Sequence, residues 1–352
     1  MRAERRPGRR TAALACALVI GLGAACAPAG PRTVTLMTHD SFAVSDHLFA
    51  DFEREHGIRV EVLRAGDAGA MVNQAILTRE NPLADVLFGV DNTFLSRALE
   101  AGIFVPYSSP ALADVPEQLR LDDQARVTPI DHGEVCLNID RAAFAERPPP
   151  TRLEDLTHAA FADTLVVQNP ATSSPGLAFL LATIVRFGED GDYTWRDYWR
   201  DLRANGVQVT AGWEDAYYGA FSGGAGAGDR PIVVSYASSP AAEVVFAEEP
   251  PDEAPTAVVA DGCFRQVEFA GILAGTDAEA DARVLVDFML SPAFQQDIPL
   301  NMFVYPANAT VELPVVFEQH APPIADPIVM APAAIANDRE RWIQEWTDVV
   351  LR

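Results

Sequence analysis

T-V-T-L-M at residues 33–37, I-R-V-E-V-L at 58–63 and D-V-L-F-G-V at 85–90 are three short apolar segments, each followed by a stretch with helical spacing. Near-continuous apolar strands that alternate with helices predict a parallel sheet covered on both faces. Ligands of such sheets bind beyond the carboxyl ends of the strands. The positions expected there are His39, Asp40, Asp67, Ala68 and residues 89–91.

The same alternation restarts after a proline-rich break at 148–150. A strand at 164–167 leads into the loop Q-N-P-A-T-S-S-P-G at 168–176 and an apolar helix at 177–187. Hydroxyls and free backbone N–H groups at a helix start bind anions, so Ser173 and Ser174 are candidate ligand contacts. An ordinary helix cap is the alternative.

The richest ligand chemistry is in A-G-W-E-D-A-Y-Y-G-A-F at 211–221 and P-I-V-V-S-Y-A-S-S-P at 231–240. Aromatic faces beside carboxylates suit a flat organic cation, and hydroxyls at the end of a strand suit a polar tail. The alternative is an amphipathic helix with core aromatics, followed by an ordinary buried strand. The candidate residues are Trp213, Asp215, Tyr217, Tyr236, Ala237, Ser238, Ser239 and Pro240.

Composition indicates a soluble globular protein that does not bind nucleic acid. The 352 residues are 49% hydrophobic and 22% charged, which is enough for two domains with sizeable cores. The net charge is -24, and such a surface repels phosphate backbones while remaining compatible with cationic ligands.

The N-terminus predicts export. A basic segment and an apolar run make residues 1–25 a signal peptide, and small residues then lead to Cys26. This pattern resembles a lipoprotein signal, with Cys26 lipidated and the mature chain held at a membrane surface. Ordinary cleavage near Ala25 or Ala27 is the alternative. Both place the protein in the periplasm or on the outer face of the cytoplasmic membrane.

Two cysteines lie deeper in the chain. Cys136 and Cys263 are in strand-like segments, and an oxidising compartment allows a disulfide between them, with two buried free thiols as the alternative. No His lies at ligand spacing, so no metal site is predicted there.

Eight collinear segments resemble a known family, the thiamine-binding solute receptors of bacterial ABC importers. They are T-H-D-S-F at 38–42, A-D-V-L-F-G-V-D-N at 84–92, Q-N-P-A-T-S-S-P-G-L at 168–177, G-W-E-D-A-Y at 212–217, S-Y-A-S-S-P at 235–240, Q-V-E-F-A at 266–270, S-P-A-F-Q at 291–295 and W-I-Q-E-W at 342–346.

The resemblance implies an α/β, two-lobed periplasmic binding protein fold of type II, with parallel or mixed sheets covered by helices and a hinge of crossover strands. Lobe 1 would comprise 32–135 plus 264–312 and lobe 2 would comprise 136–263. A C-terminal helical segment, 313–352, would pack on the lobes. A monomer of this kind closes around thiamine, thiamine monophosphate or thiamine diphosphate and delivers it to the permease subunits of an ABC transporter, without a cofactor.

The family's ligand contacts fall on residues already singled out by their chemistry. They are Asp67, Ala68, Ser173, Ser174, Trp213, Tyr236, Ala237, Ser238, Ser239 and Pro240. The chain departs from the pattern at His39, where the family has Tyr, at Phe303, where a Trp is usual, and at Ala68, which replaces a glycine. His39 could still stack on a ring, although a protonated imidazole would oppose a cation.

The sequence leaves three alternative functions to compare with this one. Tyr217 and Tyr218 could serve as phenolate ligands of ferric iron in a receptor of the same fold, although hard-metal sites need further ligands and Tyr218 is expected to pack against the core. Another cationic small molecule, such as a polyamine, is the second alternative. An enzyme is disfavoured because the chain has no nucleophile-elbow, zinc-protease, P-loop or dinucleotide-binding motif.

Overall fold

The computed structural model describes residues 32–352. The predicted signal peptide and Cys26 lie outside the described residues. Within 32–352, no helix is both long enough and apolar enough to cross a membrane.

Ten strands form one sheet in the described part of the chain. They are β1 (Arg32–Thr38), β2 (Ile58–Arg64), β3 (Val86–Asp91), β4 (Phe104–Val105), β5 (Thr128–Asp140), β6 (Leu165–Gln168), β7 (Gln208–Thr210), β8 (Ile232–Tyr236), β9 (Thr256–Leu273) and β10 (Tyr305–Pro306). Their order is β2-β1-β3-β9-β5-β8-β6-β7, with β10 paired to β5 and β4 paired to β9.

The sheet consists of two parallel halves joined by two long strands. In the first half β1 pairs in parallel with β2 and β3, and in the second half β6 pairs in parallel with β7 and β8. Strands β5 and β9 run between the halves and pair antiparallel with each other, while β9 also pairs with β3 and β5 with β8. The prediction of a mixed α/β fold with crossover strands is therefore confirmed.

Helices cover this sheet. They are α1 (Asp46–His56), α2 (Ala68–Leu77), α3 (Leu95–Glu100), α4 (Ser174–Phe187), α5 (Trp195–Ala204), α6 (Ser239–Val245), α7 (Glu279–Met289), α8 (Pro292–Asn301), α9 (Val315–His320) and α10 (Pro332–Val350). A single turn of π-helix, Asp215–Ala220, follows β7, and short 3₁₀ turns occupy Pro110–Asp114, Glu117–Leu119, Ala142–Phe144, Leu153–Thr157 and Ala159–Phe161.

The last helix, α10, contacts residues from both halves: α5, which lies between β6 and β7, and the turn between β3 and α3. Trp346 meets Trp199 of α5 edge to face, with 5.5 Å between ring centroids. The guanidinium of Arg339 lies 4.4 Å from the ring centroid of Phe94, the residue before α3. This helix begins at Pro332, a residue favoured in the first turn of a helix.

A disulfide joins the two crossover strands. Cys136 of β5 and Cys263 of β9 have Cα atoms 4.3 Å apart and an S–S bond of 2.05 Å. Ala237, which follows β8, packs against both cysteines. Of the two alternatives that the sequence left open, the structure has the bridge.

Candidate functional site

A cavity of about 320 Å³ lies between the two halves, above the crossover strands, and its volume is in the range of small-molecule sites. Nine of the predicted site residues line it, and they come from both halves and from the loop after α8. These nine are His39, Asp67, Ala68, Ser174, Trp213, Tyr217, Tyr236, Ser239 and Phe303.

One wall is aromatic. The Trp213 and Tyr217 rings are stacked with centroids 5.0 Å apart, and Tyr218 meets Trp213 edge to face at 5.4 Å. The indole Nε1 of Trp213 donates to Ser235 Oγ at 2.9 Å, which fixes the ring. Tyr218 packs against this cluster, as expected, since it also meets the buried Tyr217 edge to face at 5.5 Å, but its side chain is 46% exposed and lines the cavity as well. The two tyrosines are consecutive in the π-helical turn and belong to the same aromatic cluster.

Hydrogen bonds cross the cleft. Asp67 Oδ2 accepts from the backbone N–H of Trp213 at 3.0 Å, while its Oδ1 caps α2 by accepting from Ala68 N–H at 2.7 Å. The Gly69 N–H donates to the Thr172 carbonyl at 3.0 Å. One carboxylate therefore both starts a helix of the first half and ties that helix to the aromatic wall of the second.

The floor of the cavity is acidic. Glu268 of β9 lines it, and its Oε2 lies 3.6 Å from His39 Nε2. Burial lowers the pKa of His39, but the carboxylates of Glu268, Asp67 and Asp40 outweigh burial, so the pKa stands above its ordinary value. Burial also raises the pKa of Asp67.

The position of His39 depends on a glycine. Gly89 of β3 has φ of +100°, and a Cβ atom at this position would lie 2.3 Å from His39 Cδ2. Only glycine adopts this backbone conformation readily and leaves room for the imidazole. The imidazole is thereby packed against the end of β3, beside the cavity.

Six predicted site residues do not line this cavity. Ser173 is fully buried, and Ser238 donates to the Phe303 carbonyl and so supports the loop after α8. The Asp40 carboxylate accepts from Gly66 N–H, and Asp215 is exposed in the π-helical turn. Ala237 and Pro240 border a different hollow, beside the disulfide.

Several cavity residues were not among the predicted contacts. The most consequential is Glu268, which lies in the Q-V-E-F-A segment, and the others with functional side chains are Ser41, Glu214, Tyr218, Glu243, Phe246, Asn301 and Met302. The apolar run around Glu268 is buried on both sides, so the sequence pattern carries no signal for which of its residues faces a cleft.

The described part of the chain holds no cluster of three or more His, Cys, Asp or Glu side chains placed to bind a metal ion. The Tyr217 hydroxyl donates to Glu243 Oε1 at 2.6 Å, and burial raises its pKa further above the ordinary value. A tyrosine in this setting resists the deprotonation that a phenolate ligand requires.

Comparisons with known proteins agree with this architecture. A periplasmic thiamin binding protein of known structure superimposes with a TM-score of 0.79 and 29% sequence identity, covering 91% of this chain and 96% of that one. The thiamine-binding periplasmic protein of Escherichia coli (strain K12) is 32% identical over 324 residues, 91% of this chain and 94% of its own length. The corresponding protein of Salmonella typhimurium is 31% identical over 332 residues, 93% of this chain and 96% of its own.

The family model for the bacterial extracellular solute-binding proteins matches residues 81–326, more than half of the chain. These residues include both crossover strands and the aromatic wall of the cavity. The chain belongs to the family of bacterial extracellular solute-binding proteins.

Proposed function

We propose that this protein captures thiamine, or one of its phosphate esters, between its two halves and delivers it to the permease of an ABC importer. The observation that carries the proposal is the cavity itself, in which stacked aromatic rings and four carboxylates surround a space of small-molecule size. Its carboxylates are Asp67, Glu214, Glu243 and Glu268. The names and full-length similarity of the relatives support the same ligand.

The chemistry of thiamine fits this lining. Its positively charged thiazolium and flat aminopyrimidine favour aromatic faces, where cation-π attraction contributes about 0.5–2 kcal/mol for each desolvated contact. Trp213, Tyr217 and Tyr218 provide such faces, and the carboxylates offset the charge. Ser174 and Ser239 also line the cavity, and their hydroxyls suit the hydroxyethyl or phosphate tail.

The mechanism that we propose is closure by hinge bending. Strands β5 and β9 connect the halves, and ligand contacts on both halves would favour the closed state that the permease recognises. The hydrogen bonds from Asp67 to Trp213 and from Gly69 to Thr172 belong to such a closed state. The protein acts as a monomeric receptor and not as an enzyme.

Export to the periplasm and lipid anchoring through Cys26 complete the proposal. Mass spectrometry of the membrane fraction would find a diacylated Cys26 at the mature N-terminus. A freely soluble mature chain that begins near residue 26 or 28 would contradict the anchor and leave the receptor function unaffected.

The direct test of the ligand is calorimetry of residues 27–352 after unfolding and refolding, which strips carried-over ligand. We expect one-to-one binding of a thiamine compound and no binding of ferric citrate. The second candidate is a polyamine, which the acidic cavity also favours, and spermidine in the same titration distinguishes the two. Binding of spermidine without thiamine would overturn the proposed ligand.

A further inference from the structure

Three acidic residues form a row across the centre of the sheet. Glu268 of β9 is in register with Asp91 of β3 on one side and with Asp131 of β5 on the other. Side chains in register on neighbouring strands share one face of the sheet, and like charges placed directly opposite each other are destabilising. The residues are 7%, 0% and 1% exposed, respectively, so water screens the row poorly.

Hydrogen bonds satisfy this row unevenly, because Asp91 Oδ1 accepts from the backbone and hydroxyl of Thr93 and from Phe94 N–H. The Asp131 carboxylate accepts no hydrogen bond from residues 32–352. Burial, together with the charges of Glu268 and Asp91, raises the pKa of Asp131 well above its ordinary value. Buried carboxylates without partners are rare in proteins unless they serve a function.

The other carboxylates of the cavity are already engaged or screened. Both oxygens of Asp67 accept backbone N–H groups, and Glu243 accepts from the Tyr217 hydroxyl. Glu214 is exposed, so solvent screens its charge. Glu268 accepts one hydrogen bond, from Gln266 Nε2 at 2.9 Å, and its other oxygen faces His39 at 3.6 Å, beyond hydrogen-bond distance.

We infer that Glu268, with Asp91 and Asp131 behind it, is the element that selects ligands by their positive charge. A cation at Glu268 would offset the repulsion within the row, so binding energy would depend on ligand charge as well as on shape. The inference rests on the proposed function and adds to it: the aromatic wall recognises flat rings, whereas the carboxylate row requires that one ring be cationic.

The test compares thiamine with its neutral isostere, in which a thiophene ring replaces the thiazolium. Both ligands are titrated calorimetrically at pH 8 into the wild-type protein, into Glu268→Gln and into the control Glu61→Gln, which removes an exposed carboxylate of β2. We expect the wild type and the control to prefer thiamine by about 100-fold, as for a desolvated charge pair. In Glu268→Gln the preference should fall below about tenfold, chiefly through weaker thiamine binding.

Two results would overturn the inference. One is a Glu268→Gln variant that keeps the full preference for thiamine, and the other is an equal loss of affinity for both ligands, which would indicate a structural role. If the wild type binds neither ligand, the proposed function itself fails, a result distinct from loss of charge selectivity.

A measurement on the wild type covers the case in which the variant does not fold. His39, directly after β1, faces Glu268 of β9, Asp67 before α2 and its neighbour Asp40, and Asp131 faces Glu268 and Asp91. A cation at Glu268 would displace protons held by this group. Calorimetry near pH 6.5 in buffers of different ionisation enthalpy should therefore detect proton release with thiamine and none with the isostere. Equal proton release with both ligands would contradict charge selection.

Discussion

Asp67 is the residue whose removal tests cleft closure most sharply. It contributes a cap to α2 and a charged hydrogen bond across the cleft to Trp213. The cap is part of the first half in both open and closed states, so its loss, about 1 kcal/mol, lowers stability without affecting closure. In the proposed mechanism the bond across the cleft forms only on closure, and a hydrogen bond to a charged group contributes about 1.5–3 kcal/mol.

Asp67→Ala should therefore reduce thiamine affinity by about 30-fold, which corresponds to roughly 2 kcal/mol. Calorimetry measures the affinity, and small-angle scattering at saturating thiamine tests whether the variant closes. The control is Ser109→Ala, which removes a cap at Ala111 N–H, away from the cavity residues. It should lower the melting temperature and leave thiamine affinity unchanged.

Asp67→Ala should also weaken thiamine and its neutral isostere by similar factors, because both Asp67 oxygens accept backbone N–H groups and selection by ligand charge is assigned to Glu268. An Asp67→Ala protein that binds thiamine with wild-type affinity and the wild-type change in radius of gyration would refute closure through this bond.

The remaining predictions concern the aromatic wall, the imidazole and the disulfide. Trp213→Ala should weaken thiamine binding at least tenfold by calorimetry, since a desolvated cation-π contact contributes up to about 2 kcal/mol. Tyr218→Ala should also weaken thiamine binding, because the Tyr218 ring lines the cavity. Unchanged thiamine affinity in both variants would exclude the aromatic wall as the ring-binding surface. Thiamine affinity should fall as pH decreases through the raised pKa of His39, because the protonated imidazole competes with the cation. His39→Gln should remove most of this dependence of affinity on pH. A pH dependence that persists in the variant would assign it to another group. Replacing Cys136 and Cys263 with alanine should lower the free energy of unfolding in urea by about 3–5 kcal/mol, since the bridge closes a loop of more than 100 residues. The thiamine affinity of this variant, measured by calorimetry, should be retained. An unchanged urea midpoint would show that the bridge adds no stability.

The parallel halves could be predicted from sequence because their strands are short apolar runs separated by helices. From this pattern, residues after β1, before α2 and at the start of α4 could be predicted to lie at a ligand site, since the carboxyl ends of parallel strands meet at one edge of the sheet. His39, Asp67 and Ser174 indeed line one cavity. Trp213 and Tyr236 were identified by their chemistry and by the resemblance, and they lie there as well.

The residues missed by sequence reasoning depend on strand register and local backbone geometry. The role of Glu268 could not be predicted because it depends on the position of β9 between β3 and β5. The register of these strands aligns Glu268 with Asp91 and Asp131. Tyr218 reaches the cavity through a π-helical turn, which has no sequence signature as clear as that of an α-helix. Ala237 and Pro240 were assigned by continuity with Tyr236, but the chain turns into α6 there and directs them to another hollow.

The central claim is that this receptor binds thiamine or its esters between its two halves. Its most direct test is calorimetric titration of the refolded mature domain with thiamine, its two phosphates, spermidine and ferric citrate. The account predicts one-to-one binding of at least one thiamine compound and none of spermidine or ferric citrate. Binding of spermidine or iron in the absence of any thiamine binding would contradict it.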